Sequence, residues 1–274
     1  PPSTAFITIR VLTNETIGAL LMAGLVTGCI AVILLSVAAI IYCIKTKAYE
    51  PLEKITLKEK LKITWRSIGT LFLPVLMLGG IYSGIFTPTE AAGVSVVYGI
   101  LFSVLTRRVS IKDMVGLISS STKTVAMIAL LVAAGMTLSN ITAMLQIPQT
   151  AMEWVTSTGW SGAAIVTTSL VIVFILGMFL DAGAIIILTI PILYPIIVAL
   201  GYDFIWYSII FVFCTEIGLI TPPVGMNCFV LQQISGLDLI QVVKGSLLFL
   251  LVLLFCMLLV VFIPELALWL PSTM

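Results

Sequence analysis

Glu216-Ile217-Gly218-Leu219-Ile220-Thr221-Pro222-Pro223-Val224-Gly225 stands inside an otherwise apolar run extending from Phe204 to Ile234. Crossing a bilayer takes about 20 predominantly apolar residues, so the run is long enough to span. Two consecutive prolines in its middle do not fit a continuous helix. Each removes a backbone donor and clashes with the preceding turn, costing about 3 kcal/mol or more in a helix interior. Bounded by Thr221 and Gly225, the pair predicts an unwound segment between two half-helices. Such backbone is not tolerated against lipid, but it is tolerated where it lines a polar cavity inside protein. Freed carbonyls there suit a cation, and the start of the second half-helix suits an anion. The plainer alternative is a proline kink used only for packing.

The rest of the chain supports a membrane setting. Hydrophobic residues make up 61% of 274 positions and charged residues 9%, against about 25% charged in soluble domains. The fold class expected is an all-α, polytopic membrane protein. Net charge is +1, which gives no global field to attract nucleic acid. The five cysteines (Cys29, Cys43, Cys214, Cys228, Cys256) contain no Cys-x-x-Cys pair and read as small hydrophobes, with no disulfide required. The absence of histidine weakens metalloprotease, haem, serine-triad and histidine-relay readings. No Walker A sequence is present.

Further candidate spans are Ile17 to Ile44, Ile68 to Leu105 with a break at Thr87-Pro88-Thr89-Glu90, Val125 to Leu145, Ala163 to Leu200, and Val242 to Ile263. Between the first two, Lys45, Lys47, Lys54, Lys58, Lys60, Lys62 and Arg66 interleave with Leu57, Leu61, Ile63 and Trp65. That pattern predicts an amphipathic helix along the membrane surface, with a solvated basic loop as the alternative. Basic connections belong on the cytoplasmic side. This rule puts Lys45–Arg66 and Arg107, Arg108 and Lys112 inside, and the Lys-free segments around Glu153 and Gly201 outside. Thr87 to Glu90 reads as a helix start, with Pro88 at the first helical position and Glu90 in the first turn.

Asp181 is the one charge in the Ala163–Leu200 stretch, within Leu180-Asp181-Ala182-Gly183-Ala184. Ionisable groups at membrane depth usually face a cavity or a partner. The small neighbours allow a tight turn, so Asp181 sits at the tip of a re-entrant hairpin or in a loop between two passes. Glu216 lies one and a half turns before Thr221, on another face of the helix. A pairing with Lys123 or a second subunit and a functional role both remain open for it.

Phe86-Thr87-Pro88-Thr89-Glu90-Ala91-Ala92, Gly177-Met178-Phe179-Leu180-Asp181, Pro191, Pro195 and the Glu216–Gly225 block occur in an order and spacing that resembles a known family. The chain looks like the large membrane subunit of a tripartite ATP-independent periplasmic (TRAP) transporter, and the resemblance covers essentially its whole length. It implies an elevator-type fold with inverted repeats, each contributing a re-entrant hairpin and a discontinuous helix. It also implies sodium-coupled import of a small organic acid, such as a C4-dicarboxylate or a sialic acid, across the bacterial inner membrane. Implied partners are a periplasmic substrate-binding protein and a small membrane subunit. No cofactor is implied beyond sodium as coupling ion.

Carried onto this chain, sodium would be held at Asp181, Ala182, Gly183, Gly218, Thr221 and Pro222. Substrate would be held at Thr221, Gly225, Asn227, Pro2 and Ser3. Pro1-Pro2-Ser3 resembles the break of the first repeat, so the chain is expected to be part of a longer polypeptide. The implied organisation runs 1–44 (end of the first discontinuous helix plus a span), 45–67 (basic arm), 68–147 (scaffold spans), 148–203 (second hairpin) and 204–274 (second discontinuous helix and last span). Two rivals remain. One is a sodium/carboxylate elevator carrier that needs no binding protein. The other is an intramembrane aspartyl protease built on Tyr202-Asp203 and a second aspartate, although its Gly-x-Gly-Asp motif is absent.

Overall fold

The computed structural model describes residues 3–13, 15–47, 56–106, 109–147, 149–150, 153, 157 and 159–273. The predicted substrate residue Pro2 lies outside them. Among the described residues every regular element is helical: α1 (Thr4–Leu12), α2 (Ile17–Thr46), α3 (Leu57–Tyr82), α4 (Pro88–Leu105), α5 (Ile111–Met144), α6 (Gly162–Gly177), α7 (Ala182–Ala199), α8 (Phe204–Ile220), α9 (Met226–Ser235), α10 (Leu239–Phe262) and the short α11 (Glu265–Leu268). Four of the helices contain stretches long and apolar enough to cross a membrane: Ile17–Thr46, Asp113–Met144, Ala182–Ala199 and Leu239–Phe262. The chain is a multi-pass membrane protein. The helices fall into two compact units, one made of residues 1–46 and 128–274, the other of residues 47–127.

In the larger unit α8 is the central element. It packs against α6, α10, α2 and α7, and its Tyr207, Ile209, Ile210 and Phe211 are buried. Buried polar atoms in this core find partners, as they must in a medium without water. Tyr207 Oη and Ser169 Oγ meet at 2.8 Å, and Trp206 Nε1 donates to the Val260 carbonyl at 2.8 Å. By contrast, Val32, Ile33, Ile40 and Ile44 of α2 and Leu251, Phe255 and Phe262 of α10 are exposed. An apolar exterior over a satisfied interior is what a lipid solvent selects.

The smaller unit is built on the α3–α4 pair. The predicted turn near Pro88 is a short connection followed by a capping box. Thr87 Oγ1 accepts from the Glu90 amide at 3.3 Å, and the Glu90 carboxylate accepts from the Thr87 amide at 2.8 Å. Tyr98 Oη donates to the Gly69 carbonyl at 2.7 Å, and Phe102 fills the space where a Gly69 side chain would be. Of the predicted amphipathic arm, Leu57–Trp65 is helical and runs on into Ser67–Tyr82 through a 52° bend, while residues 48–55 lie outside the described residues.

One boundary departs from expectation. The span expected from Val125 begins at Ile111 and continues to Met144. Ser110 starts it, accepting from the Asp113 amide at 3.2 Å and donating to the Asp113 carboxylate at 2.6 Å. The Ser-x-x-Asp cap outweighs the polar composition of the first turns.

Candidate functional site

Asp203 starts α8, its Oδ1 accepting from the Ile205 and Trp206 amides at 2.8 and 3.1 Å. The helix runs to Ile220 and stops there for a chemical reason. Pro222 and Pro223 have no N–H, so the carbonyls of Gly218 and Leu219 lose their donors four residues on. The Gly218 carbonyl is recovered by a tighter bond from the Thr221 amide at 2.9 Å. The Leu219 carbonyl loses its helical donor outright. Thr221 itself is extended (φ −91°, ψ 133°), and the Pro222–Pro223 peptide is cis. Chain direction is restored at Gly225, which is buried with φ +54° and begins α9. That left-handed conformation favours glycine, and an added Cβ would also meet the Thr221 carbonyl at 3.2 Å.

The α6–α7 connection, 178–181, docks on this break. The Gly225 amide donates to the Met178 carbonyl at 3.3 Å. Just behind it, the backbones of α6 and α8 touch. A Cβ added to Gly218 would lie 2.8 Å from the Gly177 Cα and 2.8 Å from the Phe174 carbonyl oxygen. Nothing local to Gly177 in the sequence marks this role. Paired small residues on apolar helices are the signal that could have found it, because they let backbones approach.

The two predicted places therefore come together, and four helix ends converge. The C-termini of α6 and α8 bring partial negative charge, and the N-termini of α7 and α9 bring partial positive charge. Side chains make these ends unequal. Asp181 Oδ1 accepts from the Gly183 and Ala184 amides at 2.8 and 3.2 Å, so the start of α7 is already satisfied. The start of α9 carries no side-chain cap, and exposed Asn227 stands in its first turn. Thr221 Oγ1 donates to the Ile217 carbonyl at 2.6 Å. Its proton is committed backward, which leaves the oxygen lone pairs free to accept. Cys228 Sγ lies 3.3 Å from the Ile220 carbonyl and satisfies that one. The arrangement offers a cation the oxygens of Thr221, Leu219 and the Asp181 turn, and offers an anion the amides opening α9.

Ser3 precedes α1 without a side-chain cap bond. Leu12 Cδ2 and Ile187 Cγ2 both rest against Gly135, and Glu15 feels the charge of Asp203. Helix α1 thus packs against α7, with Leu12 beside Ile187 in the first half of that helix. Glu216 is exposed on α8, while its neighbours Ile217 and Gly218 are buried. Asp203 is separated from Asp181 by the 18 residues of α7, about 27 Å of helix. Two carboxylates that far apart do not share a water, which removes this pair as an aspartyl-protease dyad.

Glu15 sits in the connection between α1 and α2. Burial, and secondarily Asp203, hold its pKa above the usual carboxylate range. A raised folded pKa means that the folded state holds the proton more tightly. That contribution is present below the unfolded value of about 4.3 and is lost as pH rises through the folded value. Thermal melting of the purified protein is expected to shift down over that window, and Glu15→Gln is expected to flatten the step.

The family model described as "Tripartite ATP-independent periplasmic transporter, DctM component" matches residues 1–266. Similar relatives include the C4-dicarboxylate TRAP transporter large permease protein DctM of Pseudomonas aeruginosa, 35% identical over 99% of this chain and 64% of that protein. The sialic acid TRAP transporter large permease protein SiaM of Vibrio cholerae is 30% identical, over 99% of this chain and 64% of that protein. The ectoine TRAP transporter large permease protein TeaC of Halomonas elongata is 31% identical, over 98% and 63% respectively. The chain thus spans a little under two thirds of the curated relatives it matches. The chain belongs to the DctM component family of tripartite ATP-independent periplasmic transporters, a family of transporters and not of enzymes.

Proposed function

We propose that the convergence of 178–183 with 218–227 is one half of a coupled sodium and organic-anion site in a TRAP transporter of the bacterial inner membrane. The observation that carries this reading is the docking of the two segments, with the Gly225 amide on the Met178 carbonyl at 3.3 Å. Sodium would take oxygens from Asp181, Ala182, Gly183, Gly218, Thr221 and Pro222. The substrate anion would take the start of α9, with Thr221, Gly225 and Asn227, and the Pro2-Ser3 segment from the other side. The 16 residues of α6 reach about 24 Å and the 18 of α7 about 27 Å, against a hydrocarbon core of about 30 Å. Helix α7 is at the lower limit for a span, and the shorter α6 favours a re-entrant hairpin whose turn stays at membrane depth, moving as a body in an elevator cycle.

Relatives named for C4-dicarboxylate, sialic acid and ectoine point to a small organic solute as cargo. The large-permease kinship supports a periplasmic binding protein and a small membrane subunit as partners. A carrier working without a binding protein is the second reading. Dependence of uptake on a periplasmic protein, together with co-purification of a small membrane subunit, separates the two.

The test of the site is uptake by the reconstituted full complex. Thr221→Val keeps the shape and removes the accepting oxygen, and Asp181→Asn removes a charge while retaining a helix cap. Each is expected to raise the sodium concentration for half-maximal uptake by about ten-fold, the equivalent of one charge-assisted ligand of about 1.5 kcal/mol. Unchanged sodium dependence in both variants would sink the assignment.

A further inference from the structure

The first part of α3 carries a surface that the transport site does not use. Leu57, Leu61 and Trp65 are 74%, 63% and 76% exposed. At four-residue spacing they form one stripe about 80° wide on the helix. Lys58 and Lys62 follow on one edge of the stripe, at about 100° and 140° from Leu57, and Lys60 lies about 60° beyond the other edge. All three lysines are exposed. Glu59 lies on the far side, about 160° from the stripe's centre, as does the exposed Ile63. Glu59 is turned onto the helix start, where its carboxylate accepts from the Thr56 amide at 3.0 Å and from the Thr56 hydroxyl.

An apolar stripe with lysines on both edges and its acid facing away matches a boundary between hydrocarbon below and phosphate above. Lysine stems lie along the apolar layer while their ammonium groups reach the headgroups. The position agrees with this. The stripe joins the apolar Ser67–Tyr82 helix directly through the 52° bend, so it leaves a span near its end, on the side where basic connections accumulate.

We propose that residues 57–65 are a docking face for anionic phospholipid at the cytoplasmic surface of the membrane, with Lys58, Lys60 and Lys62 binding headgroup phosphates and Leu57, Leu61 and Trp65 entering the acyl boundary. Recognition is electrostatic as well as apolar, so the arm discriminates anionic from zwitterionic lipid. Each lysine near such a surface contributes roughly five-fold in affinity. The bend then becomes lipid-sensitive, because holding the arm in the interface fixes its angle to the span.

The experiment uses the full transporter complex in nanodiscs of mixed phosphatidylglycerol and phosphatidylcholine. Bromine is placed on the acyl chains of one lipid or the other at equal mole fraction. The Trp65 contribution is the difference in quenching between the unaltered protein and Trp65→Phe. The expected result is quenching by brominated phosphatidylglycerol about two-fold or more above that by brominated phosphatidylcholine. The preference is expected to vanish in the triple variant Lys58→Gln, Lys60→Gln, Lys62→Gln, and in the unaltered protein at about 1 M salt, where the screening length falls to about 3 Å. The salt arm keeps the test decisive if the triple variant does not assemble. Equal quenching by the two lipids at low salt overturns the proposal. So does the absence of quenching by either, which would mean that the stripe is covered by protein, the small subunit or a second copy.

Discussion

Gly218→Ala is expected to abolish uptake and to lower the melting temperature of the assembled transporter, although it adds one methyl group. The new Cβ would lie 2.8 Å from both the Gly177 Cα and the Phe174 carbonyl oxygen. These are backbone atoms within a helix, so no rotamer change relieves the clash. Helices α6 and α8 have to part by several tenths of an ångström, and overpacking of this kind costs about 1–3 kcal/mol or more. The displacement falls one turn from the site. It pulls the Met178 carbonyl off the Gly225 amide, a contact that is already 3.3 Å. Gly177→Ala is expected to act in the same direction and more mildly, since its Cβ would stand 3.0 Å from the Gly218 Cα and 3.2 Å from the Thr215 carbonyl. Gly245→Ala is the control, because nothing lies within 4 Å of a Cβ placed there. Uptake and differential scanning fluorimetry on the three variants check the ordering, which fails if Gly218→Ala behaves like Gly245→Ala.

The second large effect concerns the donors that the break lacks. Pro222→Ala with Pro223→Ala restores two N–H groups opposite the Gly218 and Leu219 carbonyls. Removing two interior prolines favours helix by about 3 kcal/mol each. The expected outcome is a complex that assembles and melts no lower than the unaltered protein, with helical circular dichroism equal or higher, yet with sodium-dependent uptake reduced at least about 100-fold. Carbonyls drawn into helical bonds no longer serve a cation, and closing the gap swings the uncapped start of α9 away from the turn at 178–181. Loss of activity without loss of stability is the signature that separates a functional break from a packing kink. Retained uptake would favour the kink.

Thr87 and Glu90 were legible as a cap because Thr-Pro-x-Glu is a local pattern whose hydrogen bonds close within four residues. The broken helix was legible for a related reason, since proline's missing donor is a property of the residue and not of its surroundings. The start of α5 was misplaced from the sequence by fourteen residues. Composition averaged over a span is insensitive to a Ser110–Asp113 cap that lets a helix begin among polar residues. Asp181 was recognised as a break, but its neighbours left open which way its carboxylate turns. In the structure it caps its own helix, so part of its charge serves α7 directly. Gly177 passed without a role because its significance is its distance to Gly218, forty-one positions away.

Sequence alone determined that this chain is helical, lies in a membrane, and is interrupted at Asp181 and at Thr221–Gly225. Those conclusions follow from residue chemistry and from the cost of exposing backbone to lipid, both of which act locally. Only the tertiary structure decided that the two interruptions are one place. Their union depends on two glycines that let α6 and α8 touch, and on an amide and a carbonyl that meet across the gap. It also decided that the four helix ends there are unequal, with α7 satisfied by its own aspartate and α9 left uncapped toward the site.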